Sequence, residues 1–201
     1  MAESRAPMQA RWRRGELACN RKAMERLKRT VVLVGMMGAG KSSVGRRLAA
    51  RLSVPFRDAD GEIESAAGCT VAEIFARFGE GEFRQGERRV IARLLTEPPH
   101  ILATGGGAFC DAETRARIKD GAVSIWIKAP LEVLVARTGR RDTRPLLRTG
   151  DPREILQNLL KVREPLYGEA DIAVDSENGP HQASVERIVA ALKERGVVEA
   201  A

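Results

Sequence analysis

Two features of the sequence predict a three-layer α/β/α fold, a parallel sheet between two layers of helices. Largely apolar runs rich in β-branched residues, at 31–34, 101–103, 122–127 and 171–174, alternate with longer stretches of helical periodicity. A glycine-rich segment, Gly35-Met36-Met37-Gly38-Ala39-Gly40-Lys41-Ser42, joins the first apolar run to a helical pattern without a break. Strands that are apolar throughout, instead of alternating, are covered on both faces, the condition of a parallel sheet inside helices. At 201 residues and 43% hydrophobic content the chain supports one domain with a substantial core.

Taken in order, the strand at 31–34 feeds the glycine-rich segment, and a helix follows over 41–51. A short strand is expected at 55–56, then helices through Glu64 and Leu95. Thr70-Val71-Ala72-Glu73 has the form of a capping box. The strand at 101–103 runs into Thr104-Gly105-Gly106-Gly107, and the strand at 122–127 into Ala129-Pro130-Leu131-Glu132, which opens a helix. Asp151-Pro152-Arg153-Glu154 opens another, with an N-cap acid, proline in the first turn and glutamate at the third position. Between these two helices, residues 138–151 are rich in arginine and poor in helical pattern. Such a segment is a surface loop of the size that serves as a lid.

The formal net charge of +7 sits almost wholly at one end. Residues 1–29 hold nine basic side chains against Glu3, Glu16 and Glu25, and the remaining 172 residues carry a net charge of only +1. A nearly neutral body lacks the broad basic face that a nucleic-acid backbone requires, so no nucleic-acid partner is expected. Residues 1–29 are expected to form a flexible basic extension, and 30–201 the domain.

Cys19, Cys69 and Cys110 are odd in number and lie 50 and 41 residues apart, which fits neither a disulfide framework nor a metal-ligand spacing. His100 and His181 are the only histidines and stand in no catalytic pattern. No run approaches the roughly 18 apolar residues of a membrane span, and the first residues lack the apolar stretch of a signal peptide. A cytoplasmic location and no membrane partner are therefore expected.

The segment 35–42 fits G-x-x-x-x-G-K-[ST], a phosphate loop, in the strand-to-helix context that makes the pattern specific. Its glycines let backbone N–H groups converge on a polyphosphate at a helix N-terminus. Lys41 would reach the β- and γ-phosphates of ATP, and the Ser42 hydroxyl would hold Mg²⁺. Asp58-Ala59-Asp60-Gly61 matches the D-x-x-G of GTPases, but it lies 16 residues past Ser42, and no N-K-x-D is present to recognise guanine. At alternate positions of an extended segment, Asp58 and Asp60 would both face the phosphate loop, to support Mg²⁺ and to accept the proton of an attacking hydroxyl. Gly105, Gly106 and Gly107 leave a bare backbone floor at the carboxyl edge of the sheet. Arg84, with Glu87 three residues on, and Arg163 in Arg163-Glu164-Pro165-Leu166-Tyr167 are candidates to grip a carboxylate.

These residues together resemble the shikimate kinase family, over about residues 30 to 195. The resemblance is carried by GMMGAGKSSVGRRLA at 35–49, FRDADGEIE at 56–64, EFRQGE at 82–87, TGGGA at 104–108, RPLL at 144–147 and REPLY at 163–167. It implies a P-loop fold like that of the nucleoside-monophosphate kinases, with a five-stranded parallel sheet and a mobile lid. It also implies transfer of phosphate from ATP to the 3-hydroxyl of shikimate, with Mg²⁺, in the biosynthesis of aromatic amino acids. On this resemblance the catalytic residues are Asp60, Lys41 and Arg144, with Asp60 as base and Arg144 on the transferred phosphoryl group. Asp60, Arg84, Gly105, Gly106, Gly107 and Arg163 would bind shikimate. Gly38, Ala39, Gly40, Lys41, Ser42, Ser43, Arg137, Arg144 and Pro180 would bind ATP, with Arg137 stacked over adenine, and Ser42 and Asp58 would serve the metal. The family's basic residue before the proline of the last loop is not evident in Asp175-Ser176-Glu177-Asn178-Gly179-Pro180.

Two other functions compete. A sugar-acid kinase such as gluconate kinase shares the fold and an anionic polyol substrate, but the arginines at 84 and 163 favour shikimate. A nucleic-acid-binding or scaffold protein that senses ATP would use the basic extension, and removal of residues 1–29 is expected to leave kinase activity intact. A monomer is expected.

Overall fold

The computed structural model describes residues 25–139, 150–176 and 181–200. Seven strands and seven α-helices follow the chain among the described residues. The strands are β1 (Glu25–Leu27), β2 (Thr30–Val34), β3 (Phe56–Asp58), β4 (Ile101–Ala103), β5 (Ala122–Lys128), β6 (Ile172–Asp175) and β7 (Val198–Ala200). The helices are α1 (Lys41–Leu52), α2 (Ala59–Ala67), α3 (Val71–Leu94), α4 (Ala112–Gly121), α5 (Leu131–Thr138), α6 (Pro152–Tyr167) and α7 (His181–Glu194).

The main sheet has five strands in the order β3-β4-β2-β5-β6, every neighbouring pair parallel. All five residues of β2 are buried, and so are all of β5 except Lys128. Successive side chains point to opposite faces, so helices must cover the sheet on both sides. Leu48 and Leu52 of α1, Ile91 and Leu94 of α3 and Ile118 of α4 are fully or almost fully buried with these strands. The expected three-layer α/β/α arrangement is present. Helix α1 lies so close to β3 that a Cβ on Gly45 would stand 2.6 Å from the Phe56 ring.

Several helix starts follow the local chemistry of the sequence. Thr70 Oγ1 accepts from the Glu73 N–H at 3.2 Å, and the Thr70 N–H donates to Glu73 Oε2 at 2.8 Å, a reciprocal capping box. Asp151 accepts from the Arg153 N–H at 3.0 Å ahead of Pro152.

Three features differ from expectation. Strand β3 runs on to Asp58 and α2 begins at once, so Asp58 ends a strand while Asp60 sits in the first turn of a helix. The two acids are not alternate residues of one extended segment. Helix α3 is kinked at Gly79, whose φ of 79° and ψ of 176° are open to glycine and few other residues. Finally, order reaches back beyond Thr30. Strand β1 pairs antiparallel with β7, in the register Glu25 with Ala200 and Leu27 with Val198. Leu27 is buried, and Glu25 accepts from Arg51 and from Lys193, each at 2.7 Å. Those bonds, Lys193 first, hold the Glu25 carboxyl below its ordinary range.

The expected lid at 138–151 falls mostly outside the described residues, as do Arg144 and Pro180.

Candidate active site

The phosphate loop leaves β2 and closes at the N-terminus of α1. At Gly35, φ is 131° and a Cβ would stand 2.6 Å from the Ile127 carbonyl oxygen of β5, so only glycine lets the loop turn here. Lys41 is buried, and its Nζ donates to the carbonyls of Gly35 at 2.8 Å and Met36 at 2.9 Å. The ammonium is thereby held against the backbone of the loop that it is expected to serve. Ser42 Oγ donates to Asp58 Oδ2 at 2.7 Å, which brings the first turn of α1 to the end of β3. Ser43 is exposed in that same turn. The first turn of α1 holds no acidic residue of its own, and its positive dipole end faces the loop. Arg137, at the end of α5, directs Nη1 to the carbonyls of Gly38 and Ala39, at 3.5 and 3.4 Å, and to Ser176 Oγ at 3.2 Å. It therefore lies across the loop, between α5 and the residue that follows β6.

Past the end of β4, Thr104 extends the sheet pairing through its N–H and its Oγ1, which donate to the Leu33 carbonyl at 3.2 and 3.1 Å. The three glycines that follow are crowded on every side. A Cβ on Gly105 would stand 2.7 Å from Glu87 Oε1 and 3.0 Å from Asp60 Oδ1. On Gly106 it would stand 3.2 Å from the Met37 backbone nitrogen and 3.5 Å from Arg163 Nη1, and on Gly107 2.5 Å from Arg84 Nη1. Asp60 of α2, Arg84 of α3 and Arg163 of α6 thus converge on one short stretch of backbone, beside the phosphate loop.

Arg84 is oriented from its own helix. Its Nη1 donates to Glu87 Oε2 at 2.7 Å and its Nη2 to Glu80 Oε1 at 2.9 Å. Glu87 is 2% exposed, and its Oε1 has no hydrogen-bond partner among the described residues. Burial raises the Glu87 pKa above the ordinary value; Arg84 opposes the rise and the charge of Asp60 adds to it. Burial also pushes the Cys110 thiol up.

One residue at this centre escaped prediction. Tyr167, the last residue of α6, is fully buried and donates from its hydroxyl to the Gly106 carbonyl. It is the only tyrosine in the chain, and it closes the segment 163–167 that also supplies Arg163.

Comparison with known proteins identifies the family. The shikimate kinase family model matches residues 37–193. A shikimate kinase of Caulobacter vibrioides is 58% identical over 166 residues, which cover 83% of this chain and 83% of that one. The solved structure of a shikimate kinase from Acinetobacter baumannii in complex with shikimate superposes with a TM-score of 0.81 at 38% identity, covering 83% of this chain and 94% of that one. A gluconokinase from Sinorhizobium meliloti superposes with a TM-score of 0.55 at 21% identity, covering 85% of this chain and 98% of that one, and so shows a shared fold alone. With a family match over most of its length and a relative at 58% identity, this chain belongs to the shikimate kinase family.

Proposed function

We infer that this chain transfers the γ-phosphate of ATP to the 3-hydroxyl of shikimate. The observation that carries the inference is the convergence of Asp60, Arg84 and Arg163 on Gly105 to Gly107, with Gly106 packed against the phosphate loop at Met37. An acid-binding floor and a polyphosphate loop in contact can hold acceptor and donor in line.

Arg84, braced by Glu87 and Glu80, and Arg163 offer planar donors to the carboxylate of the acceptor. Asp60 accepts the proton of the attacking hydroxyl. The hydroxyl oxygen forms a bond to the γ-phosphorus as the bond from that phosphorus to the bridging oxygen of ADP breaks, and ADP leaves. Lys41 and the N-terminus of α1 stabilise the charge on the phosphates. By the resemblance, Arg144 would meet the transferred phosphoryl group, Arg137 would stack over adenine, and Pro180 would belong to the ATP site.

Mg²⁺ fits the residues present. Ser42 and Asp58 offer a hydroxyl and a carboxylate 2.7 Å apart at the mouth of the loop. Among the described residues no cluster of three or more His, Cys, Asp or Glu side chains is available to cage a metal. Mg²⁺ takes most of its ligands from phosphate and water, so a hydroxyl with one carboxylate behind it suits this ion. When bound, it supplies charge neutralisation at the β- and γ-phosphates.

A cytoplasmic monomer completes this reading, and no helix among the described residues is long and apolar enough to cross a membrane. The product tests the regiochemistry. After incubation with ATP, Mg²⁺ and shikimate, phosphorus-proton correlation spectroscopy should place the new phosphate on C3. Attachment at another hydroxyl would contradict the assignment.

A further inference from the structure

Tyr167 takes no part in the chemistry above, yet it touches both halves of the site. Its ring packs near Trp126 of β5, with centroids 6.0 Å apart. Its hydroxyl donates to the Gly106 carbonyl and lies 3.8 Å from Met36 Sδ of the phosphate loop. It stands one turn of α6 beyond Arg163, whose Nη1 approaches the same glycine.

A trans peptide is planar, with its C=O and N–H pointing in opposite directions. Holding the Gly106 carbonyl towards Tyr167 therefore turns the Gly107 N–H away from that tyrosine. The loop uses the N–H groups of Ala108 and Cys110 for its own turns, and among the described residues no acceptor bonds that of Gly107. The guanidinium of Arg84 occupies the space that a Cβ on Gly107 would need, with Nη1 2.5 Å from that position.

We propose that the Tyr167 hydroxyl positions the acceptor. It locks the Gly106–Gly107 peptide, so that the floor keeps a fixed distance from the phosphate loop and the Gly107 N–H stays available to the bound acceptor. Burial pushes the phenol far above its ordinary range, so it keeps its proton and remains a donor at any pH suited to an assay. This role rests on shikimate being the acceptor, and turnover of shikimate by the unaltered full-length chain tests that reading separately.

The test compares Tyr167→Phe, which keeps the ring and removes the hydroxyl, with the unaltered chain, well below the unfolding midpoint of the variant. The expected result is a fall of about tenfold or more in kcat/KM for shikimate, the size of effect that one lost buried hydrogen bond carries. The KM for ATP should stay within about twofold, because the hydroxyl meets the phosphate loop at the Met36 thioether and not at a group assigned to ATP. ATP hydrolysed per shikimate phosphorylated should rise, since water replaces a misplaced hydroxyl. An unchanged kcat/KM for shikimate would overturn the proposal, and so would equal losses for ATP and shikimate. A second measurement needs no variant. Saturating shikimate should slow amide hydrogen exchange at Gly107 in the unaltered chain, and unchanged exchange there would also overturn it.

Discussion

Arg84 donates to one oxygen of Glu87 at 2.7 Å across a single turn of α3, while the other oxygen of Glu87 lies buried beside Gly105 without a hydrogen-bond partner among the described residues. The pair fixes the guanidinium before any acceptor arrives. Arg84→Ala should raise the KM for shikimate about 10- to 100-fold, the range for a hydrogen bond to a charged group, and leave the KM for ATP unchanged. Steady-state kinetics with each substrate varied in turn checks this, and an unaltered KM for shikimate would remove Arg84 from the clamp.

The same pair gives a pH dependence with a definite sign. Burial holds the Glu87 pKa above its ordinary value of 4.5. Well below that value the folded and unfolded chains both carry the proton. As pH rises through the window from 4.5 to the folded pKa, the unfolded chain releases its proton first, so Glu87 costs the folded state stability there. Glutamine cannot titrate. The Tm of Glu87→Gln minus that of the unaltered protein should therefore climb as pH rises above the ordinary value of 4.5, and a flat or falling difference would contradict the assignment.

Asp60 is presented from the first turn of α2, with Oδ1 against Gly105. Asp60→Asn keeps the size of the side chain and removes the base. Its kcat should fall by about 10²-fold or more, the usual contribution of general-base catalysis. Near-normal turnover would assign the proton to another acceptor.

Asp58 meets the Ser42 hydroxyl at the mouth of the loop. Asp58→Asn should raise the Mg²⁺ concentration for half-maximal rate by about tenfold, as loss of a group that orients a metal ligand does. A Mg²⁺ titration at fixed ATP checks this; an unchanged midpoint would leave Asp58 with a structural role alone.

Strands β2, β4 and β5 and helix α1 were legible in the sequence because each is a continuous apolar or amphipathic run with local punctuation. The phosphate loop was legible because its spacing is the chemistry. The kink at Gly79 was not, since a glycine within a helical pattern is most often carried through without a break. Pairing of Glu25 to Leu27 with Val198 to Ala200 joins residues more than 170 positions apart, and no local pattern announces it. An extension ending at residue 29 would cut into β1, so a truncation meant to spare the fold stops at 24. The convergence of Arg84 with Arg163 is likewise a product of tertiary packing; residue chemistry offered both as candidates for a carboxylate, and resemblance to a family joined them in one site. Tyr167 stood inside a motif already in view, yet a lone aromatic near a helix end carries no mark of the carbonyl it will bind.

The central claim is that shikimate is the acceptor. Release of ADP, followed in a coupled assay with ATP and Mg²⁺, is to be compared with shikimate and with gluconate as the added acid. The account predicts turnover that depends on shikimate and none above background with gluconate. Turnover of gluconate without turnover of shikimate would contradict it.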